Sequence, residues 1–464
     1  YEISTRDWSS DVCSSDLTAA RADKATRCPG YSGPVTAAET EALLDGDGLT
    51  EGYGLFVGGE WVDTIDGAGV KTVNPATEEV LADVTEAGPD DVDRAVAAAR
   101  KAYRSTWSRL SGAQRRWHLL RVADLVEQRS RELAVLQTLD TGRPIRQSRD
   151  VDLPSATATF YRYAGWADKL DHAGFGPDPR PHGVTAQILP AAFPMLRLAS
   201  AVAPALACGN TVVLKPADAS PLVALAFADI CLQAELPPGV VNIVTGSAAT
   251  GRSLAEHPAV DKIAFAGSVS AASALQRATA GTRKSLTLAL RPTATIIVAQ
   301  PDQIDPAISG IVRQVLGEPA LAAESGVHIF LPEEIAPDAI AALKAAMSTV
   351  RLGDPLDPQT DLGPVATLRA RERLEASVQA AEAAGATRWS VPADLPGRGW
   401  WFAPTILTGL STNQGAVEDR GEPPAGPVVS VHTYRNPEEL IDVVAPHSGA
   451  RTSGSGRDGA LQGL

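Results

Sequence analysis

Strands and helices alternate through the middle of the chain, and this alternation limits the fold more than any other feature. Short strand-like runs such as NTVVLKP, VVNIVTG and KIAFAG are separated by helix-like segments such as MLRLASAVAPALA and PLVALAFADICLQAEL. Repeated βαβ units of this kind predict a parallel sheet with right-handed crossovers and helices on both faces. We therefore expect an α/β protein whose ligands bind at the carboxyl ends of the strands.

The segments before this run have their own periodicities. GLFVGGEWVD (residues 54–63) and KTVNPATEEVLADV (residues 71–84) alternate around turn residues, which predicts strands and a hairpin. Residues 89–134 change to a period of 3.6 and predict two amphipathic helices, and residues 157–170 predict another helix.

Composition narrows the class of protein. At 464 residues the chain should hold two or three domains of roughly 100–200 residues each. A net charge of -14 and the absence of a basic stripe argue against a nucleic-acid partner. No apolar run reaches the ~18 residues that would span a bilayer, so we expect no membrane association and a cytoplasmic location.

The four cysteines indicate neither a disulfide framework nor a metal site, because none stands in CxxC or Cys/His spacing. Cys208 and Cys231 lie in apolar helical segments and are expected to be structural. Residues 1–52, which contain the other two, show no hydrophobic period and are predicted to be disordered. Residues 2–17 resemble the in-frame translation of a sequencing-library adapter and are excluded from the fold argument.

Candidate ligand residues stand where three predicted strands end: Lys215 and Asp218, Thr245 and Gly246, and Gly267 and Ser268. Ser268 could cap the next helix and place its free amides toward a pyrophosphate, or it could be an ordinary cap. Lys215 could reach a ribose hydroxyl, or it could be a solvated lysine at a strand end. No GxGxxG fingerprint occurs in these turns.

Several motifs in order resemble the NAD(P)-dependent aldehyde dehydrogenase family from about Tyr53 onward: FVGGEWVD, TVNPATEEVLA, ALACGNTVVLKPAD, ELPPGVVNIVTG, DKIAFAGS, RLGDPLDPQTDLGP and FAPTIL. The resemblance implies doubly wound parallel sheets, with a Rossmann-like cofactor domain, a second α/β catalytic-type domain and a small oligomerisation hairpin. It also implies catalysis by a cysteine thiohemiacetal, hydride transfer to nicotinamide and hydrolysis of the thioester.

The resemblance sets the expected domains. Residues 53–175 and 188–295 should form the cofactor-binding-type domain, and residues 296–444 the catalytic-type domain. Residues 176–187 and 445–464 should form the oligomerisation and terminal segments. Several tens of family residues are missing after EELIDVV, and we expect that deletion to expose apolar surface unless a partner covers it.

The chain departs from the family at the catalytic nucleophile. The family's cysteine follows a Gly-Gln-x stretch, whereas the corresponding residues 310–331 contain no cysteine. Alignment without gaps places the nucleophile position at Ala323, with Ala320 as the alternative if Gly-Glu replaces Gly-Gln. A methyl group has neither a lone pair nor an ionisable proton, so the covalent step is expected to be impossible.

Two further catalytic positions are also alanine. The family's general base lies in a Leu-Glu-Leu-Gly-Gly motif, and here LALRP puts Ala289 at the base and Arg291 and Pro292 at the glycines. Loss of the base should cost ~10²–10⁴-fold in water activation. The oxyanion donor lies in Pro-Trp-Asn-Phe-Pro, and PAAFP puts Ala191 and Ala192 at the Trp-Asn pair, which should cost ~10²–10³-fold.

The cofactor positions implied by the resemblance are partly retained: Lys215, Asp218, Gly246, Gly267 and Ser268. The second glycine of the helix turn is replaced by Ala272. In the family's Glu-Glu-Ile-Phe-Gly-Pro motif, EPPAGP puts Glu422 at the first acid and Pro423 at the second, so nicotinamide positioning should suffer. We expect NAD or NADP to bind weakly or not at all.

Three hypotheses about function follow. The first is a non-catalytic pseudoenzyme that forms a homo-oligomer, or a hetero-oligomer with an active homologue, as a scaffold or regulatory subunit. The second is an oxidoreductase or other enzyme with altered activity, using Glu318, Glu324, His328 and Lys215 as its titratable groups, although solvated loop charges are the simpler interpretation of Glu324 and His328. The third is a degraded or artefactual reading frame.

Overall fold

The computed structural model describes residues 54–65, 69–174, 180–290, 294–316, 327–410, 426–436 and 439–440. Its strands are β1 (Leu55–Val57), β2 (Glu60–Val62), β3 (Gly69–Val73), β4 (Val80–Thr85), β5 (Val184–Ile188), β6 (Thr211–Lys215), β7 (Val241–Ile243), β8 (Lys262–Gly267), β9 (Ser285–Leu290), β10 (Ala294–Ile297), β11 (Val327–Pro332), β12 (Thr387–Ser390), β13 (Thr405–Thr408) and β14 (Val428–Tyr434).

The helices are α1 (Pro89–Ser105), α2 (Gly112–Gln128), α3 (Ser130–Thr141), the single turn α4 (Ile145–Gln147), α5 (Leu153–Trp166), α6 (Pro194–Ala207), α7 (Leu222–Gln233), α8 (Ala248–Glu256), α9 (Val269–Thr279), α10 (Ile304–Val315), α11 (Ala336–Met347) and α12 (Leu368–Ala383). None of these described helices is both long and apolar enough to cross a lipid bilayer.

The larger sheet has seven strands in the order β2-β1-β7-β6-β5-β8-β9. Strands β5 to β9 are parallel, whereas β1 and β2 form an antiparallel hairpin at one edge. The chain builds outward from β5 through β6 to β7, then returns to place β8 and β9 on the other side of β5. The direction of strand order therefore reverses between β5 and β8, which makes this pair the topological switch point of the sheet.

Both faces of the larger sheet are covered. Every residue of β6 is buried, and successive side chains alternate between two cores. Val212 and Leu214 pack with helices α2 to α7, whereas Val213 packs with α1, Leu254 of α8 and Leu275 of α9. The predicted α/β fold, with a parallel sheet and helices on both faces, is confirmed.

The smaller sheet has five strands in the order β10-β11-β14-β13-β12, all parallel except β12. One face packs on α10 and α11 through side chains such as Ile311 and Leu343. The other face packs on α12 through Leu374 and Val378. A separate β3–β4 hairpin completes the described strands.

A buried carboxylate joins three segments that are distant in sequence. Asp140 of α3 accepts a hydrogen bond of 2.8 Å from the hydroxyl of Thr72 in β3 and one of 2.9 Å from the backbone N–H of Leu222, where α7 begins. Asp140 is fully buried, and burial raises its pKa from 3.8 to about 7 despite these two hydrogen bonds, which lower it.

Several element boundaries differ from the prediction. Residues 89–134 hold α1, α2 and the start of α3 rather than two helices, because the chain turns at Arg129 without a glycine or proline to mark it. The helix predicted for residues 157–170 is α5, which begins and ends four residues earlier. The strand predicted for VTAQILP is β5, in which Val184 and Thr185 are fully buried between β6 and β8.

Replacement of Asp140 by asparagine should remove a pH dependence of stability. Because the folded carboxyl holds its proton up to about pH 7 and the unfolded one loses it near 3.8, unfolding releases a proton in that window. The free energy of unfolding should therefore fall as pH rises through the window, by up to about 1.4 kcal/mol per pH unit. Asparagine can accept from Leu222 and donate to Thr72, so Asp140→Asn should flatten this slope.

Urea unfolding of the wild type and Asp140→Asn between pH 5 and 8 measures the effect, with the exposed Asp171→Asn as the control. The two stability curves should diverge in favour of Asp140→Asn as pH rises. Curves that stay parallel across the range would show that Asp140 titrates normally.

Candidate functional site

The candidate site lies at the switch point, beyond the carboxyl ends of β5 and β8. The loop of residues 189–193 follows β5, Gly267 and Ser268 end β8, and Lys215 ends the neighbouring strand β6. Sequence reasoning placed its candidates at these strand ends, and the parallel arrangement brings the strand ends to one edge of the sheet.

Lys215 is not a solvated lysine, so that alternative is wrong. The residue is only 5% exposed, and its Nζ donates a hydrogen bond of 3.0 Å to the carbonyl of Pro216. Burial lowers the pKa of the ammonium, while the charges of Asp218 and Glu86 oppose that shift. Lysine has three N–H donors, and the described residues provide an acceptor for one of them. The remaining donors fit a ligand oxygen.

Glu86 belongs to the same site, although sequence reasoning missed it. Its Oε1 accepts a hydrogen bond of 3.1 Å from the backbone N–H of Ser247. Hydrogen bonds from the Ser247 side chain and backbone lower the pKa of Glu86. Glu86 precedes α1 and Ser247 precedes α8, and no local sequence signal links segments that far apart.

Ser268 caps α9, as its position predicted. Its Oγ accepts a hydrogen bond of 3.3 Å from the backbone N–H of Ala271. Gly246 has φ of +144°. A β-carbon there would overlap the Thr250 hydroxyl, so this turn requires glycine.

Asp218 is exposed and its carboxylate accepts a hydrogen bond of 3.1 Å from the backbone N–H of Ala219. It therefore stands at the rim of the site rather than inside it.

The loop after β5, in which Ala192 is the predicted donor position, is supported by neighbouring side chains. Ala192 is half-buried, and the next residue, Phe193, adopts the left-handed conformation with φ of +55°. The Arg143 guanidinium stacks 4.4 Å from the centre of the Phe193 ring and donates to Asp152 at 3.0 Å. Gln137 also donates to Asp152 at 2.8 Å. A buried polar network therefore holds the loop, but no side-chain amide projects from Ala192.

Ala289, which the sequence predicts to stand at the position of the family's general base, lies in β9 opposite Ala266 of β8 and is exposed. A methyl group there cannot take a proton from water. Eight further predicted positions lie outside the described residues: Glu318, Ala320, Ala323, Glu324, Arg291, Pro292, Glu422 and Pro423.

The interpretation of His328 as a solvated loop residue is wrong. The strand β11 begins at Val327, so His328 is its second residue rather than part of the preceding loop. Its side chain is only 3% exposed. Its Nδ1 is 3.0 Å from the Nε2 of His432 in β14, the two imidazole rings stack, and His432 also stacks on Phe330. His328 therefore belongs to the core of the smaller sheet.

The described residues offer no substitute nucleophile or metal site. Burial raises the pKa of the half-buried Cys208 and of the fully buried Cys231, so neither thiol is activated. Within the described ranges, no group of three or more His, Cys, Asp or Glu side chains could hold a metal ion.

These features define a class of protein: a two-sheet α/β protein with a dinucleotide-type site at the switch point of its larger sheet. The comparisons with known proteins identify the family. The model of the aldehyde dehydrogenase family matches residues 61–454. An Arabidopsis thaliana protein named aldehyde dehydrogenase family 2 member B4, mitochondrial, is 34% identical over 398 residues, which cover 83% of this chain and 73% of that protein. Mouse retinaldehyde dehydrogenase 3 is 33% identical over 399 residues, covering 83% and 77%.

Solved structures of aldehyde dehydrogenases also resemble this chain in fold. The NAD⁺ complex of a Bacillus cereus aldehyde dehydrogenase superposes with a TM-score of 0.80 at 31% identity, covering 89% of this chain and 84% of that one. The structure of a Burkholderia cenocepacia protein described as a putative aldehyde dehydrogenase superposes with a TM-score of 0.78 at 34% identity, covering 84% of this chain and 82% of that one. The chain belongs to the aldehyde dehydrogenase family, whose reaction is NAD(P)-dependent aldehyde oxidation, and it has that family's NAD(P)-binding fold.

Proposed function

We propose that this chain is a catalytically inactive aldehyde dehydrogenase homologue that acts as a scaffold or regulatory subunit. One observation carries the proposal: the nucleophile, general-base and oxyanion-donor positions are all alanine, at Ala323, Ala289 and Ala192. Without a thiolate no thiohemiacetal forms, so hydride transfer from it and hydrolysis of a thioester have no substrate. The oxyanion donor would stabilise the charge that develops in that same first step, and the general base would activate water in the later hydrolysis, so neither loss is compensated.

The alternative of an enzyme with altered chemistry finds little support. Of its four titratable groups, His328 and Lys215 lie among the described residues. His328 is buried against His432, and Lys215 lies at the end of β6 beside Glu86 rather than beside a nucleophile. No described pair of these groups forms a nucleophile and base.

We infer that the adenosine end of the cofactor site is retained. Buried Lys215 has donors for ribose hydroxyls, and the free amides at the start of α9 beside Ser268 suit a pyrophosphate. When bound, NAD or NADP supplies the hydride acceptor of the family reaction. Because Pro423 replaces one acid of the nicotinamide motif, binding should be weak.

The proposed role is assembly, either with a second copy or with an active homologous subunit. The supporting observation is that each of the two sheets has a hydrophobic core on both faces. The fold can therefore present its surfaces to a partner even if the chain has no catalytic activity. The free thiols of Cys208 and Cys231 fit a reducing compartment, and we infer a cytoplasmic location.

The purified wild type should show no NAD(P)H production with any member of a panel of aliphatic, aromatic and amino aldehydes. The combined variant Ala192→Asn, Ala289→Glu, Ala323→Cys serves as the matched comparison, with Ala320→Cys replacing Ala323→Cys in a second version. Absorbance at the nicotinamide band measures the rate. Turnover by the wild type above the uncatalysed rate would refute the inactive assignment, whatever the variants do.

Isothermal titration with NAD should give measurable but weak binding that depends on Lys215. Lys215→Ala should weaken it by about tenfold, the loss expected when hydrogen bonds to a charged donor are removed. Lys169→Ala, which removes an exposed lysine paired with Asp168, is the charge-matched control. Equal affinities for wild type and Lys215→Ala would show that Lys215 does not contact the cofactor.

Size-exclusion chromatography with light scattering should give a mass above that of one chain, either for the protein alone or after co-expression with a cysteine-containing homologue. Tagged bait should retain that homologue at a fixed ratio, and the activity of the active subunit should change on assembly. A protein that is monomeric and does not bind the homologue would overturn the scaffold role. The proposal that the chain is catalytically inactive would not be affected.

A further inference from the structure

We propose that a cleft on the outer face of α1 binds the phosphate group of a small organic phosphate. The cleft is lined by Asp93, Ala97, Arg100, Lys101, Arg104, His257 and Ala259, and is called the α1 cleft below. It has no part in the site at the switch point.

The α1 cleft is built from one helix face and one turn. Its residues on α1 recur at three- and four-residue spacing, which places them on one side of the helix. The opposite wall is the turn after α8, at His257 and Ala259. The cavity measures about 380 Å³, within the range of small-molecule sites.

Three cations line the cleft in a chain of net charge -14. Arg100 is held in place, because its Nη2 donates 2.6 Å to the Ala259 carbonyl and also pairs with Asp261. Lys101 and Arg104 are exposed, and neither has an ion-pair partner within the described ranges. A fixed guanidinium beside two unpaired cations is an arrangement that suits a dianionic phosphate.

The one carboxylate of the lining is already engaged. The backbone N–H of Ala259 donates 3.1 Å to Nδ1 of His257, so the ring proton must lie on Nε2. That Nε2 then donates 3.0 Å to Oδ1 of Asp93. The imidazole therefore holds Asp93 at the wall. Because Arg100 is paired with Asp261, the unpaired charges that a ligand meets are those of Lys101 and Arg104.

The α1 cleft lies away from the cofactor-type site. Ala259 and Asp261 precede β8, whereas Gly267 and Ser268 of the switch-point site end it. The two sites are thus at opposite ends of the same strand. The cavity exceeds the space that one phosphate group fills, and the uncharged residues Ala97 and Ala259 are part of its lining. A phosphate ester with a short carbon chain fits better than free phosphate.

Isothermal titration at constant ionic strength tests the proposal with two probes, glycerol 3-phosphate and inorganic phosphate. Wild type should bind glycerol 3-phosphate, and the double variant Lys101→Ala, Arg104→Ala should weaken that binding by about tenfold or more. The matched control is Arg371→Ala, Arg373→Ala, which removes the same charge from the exposed face of α12. Circular dichroism melts confirm that both double variants fold.

Glycerol 3-phosphate should bind more tightly than inorganic phosphate, and the control should retain wild-type affinity. Absence of binding to the wild type, or unchanged affinity in Lys101→Ala, Arg104→Ala, would overturn the site. Equal weakening in the Arg371→Ala, Arg373→Ala control would also overturn it, because the effect would then be net charge alone. Equal affinity for both probes would overturn the assignment to an ester.

Discussion

The structure depends on the two-sided burial of its central parallel strands. Every residue of β5 and β6 is buried, and neighbouring side chains on β6 enter different cores. Such strands can be stable only if helices cover both faces, which forces the crossovers and leaves the strand ends as the places where backbone and polar groups meet solvent. Because β8 lies on the opposite side of β5 from β6, the strand order reverses at β5, and Lys215 and Ser268 stand at the ends of the strands on either side of that switch point.

Much of this architecture could be predicted from sequence because its signals are local. The strands β5 to β8 are short strand-like runs between helical segments, and Gly267 and Ser268 mark a strand end followed by a cap. Since parallel strands must share a carboxyl edge, strand identity was enough to predict which residues gather there. The family resemblance supplied the roles, and composition alone would not have done so.

The rest depends on contacts between distant segments. Nothing near Glu86 predicts its hydrogen bond to Ser247, and nothing near Thr72 predicts Asp140. His328 was predicted to lie in a loop because the sequence does not mark where the loop ends and β11 begins. The strand begins at Val327, one residue earlier, and places His328 in the core. The burial of Lys215 likewise follows from the helices that cover the strand end, not from the residues beside it.

At the two described positions for which we propose a catalytic loss, Ala192 and Ala289, the fold does not need a larger side chain. Ala289 is exposed on β9, and a methyl in place of a carboxylate there removes no packing. By contrast, Arg143 and Asp152 form a buried pair, and removal of one partner would leave an uncompensated charge at a cost of about 3–5 kcal/mol. The left-handed turn at Phe193 therefore persists because its support stabilises the fold. The conformation of the loop after β5 therefore shows only that the fold is intact. It does not show activity, because a fold can keep its backbone while individual catalytic side chains are replaced.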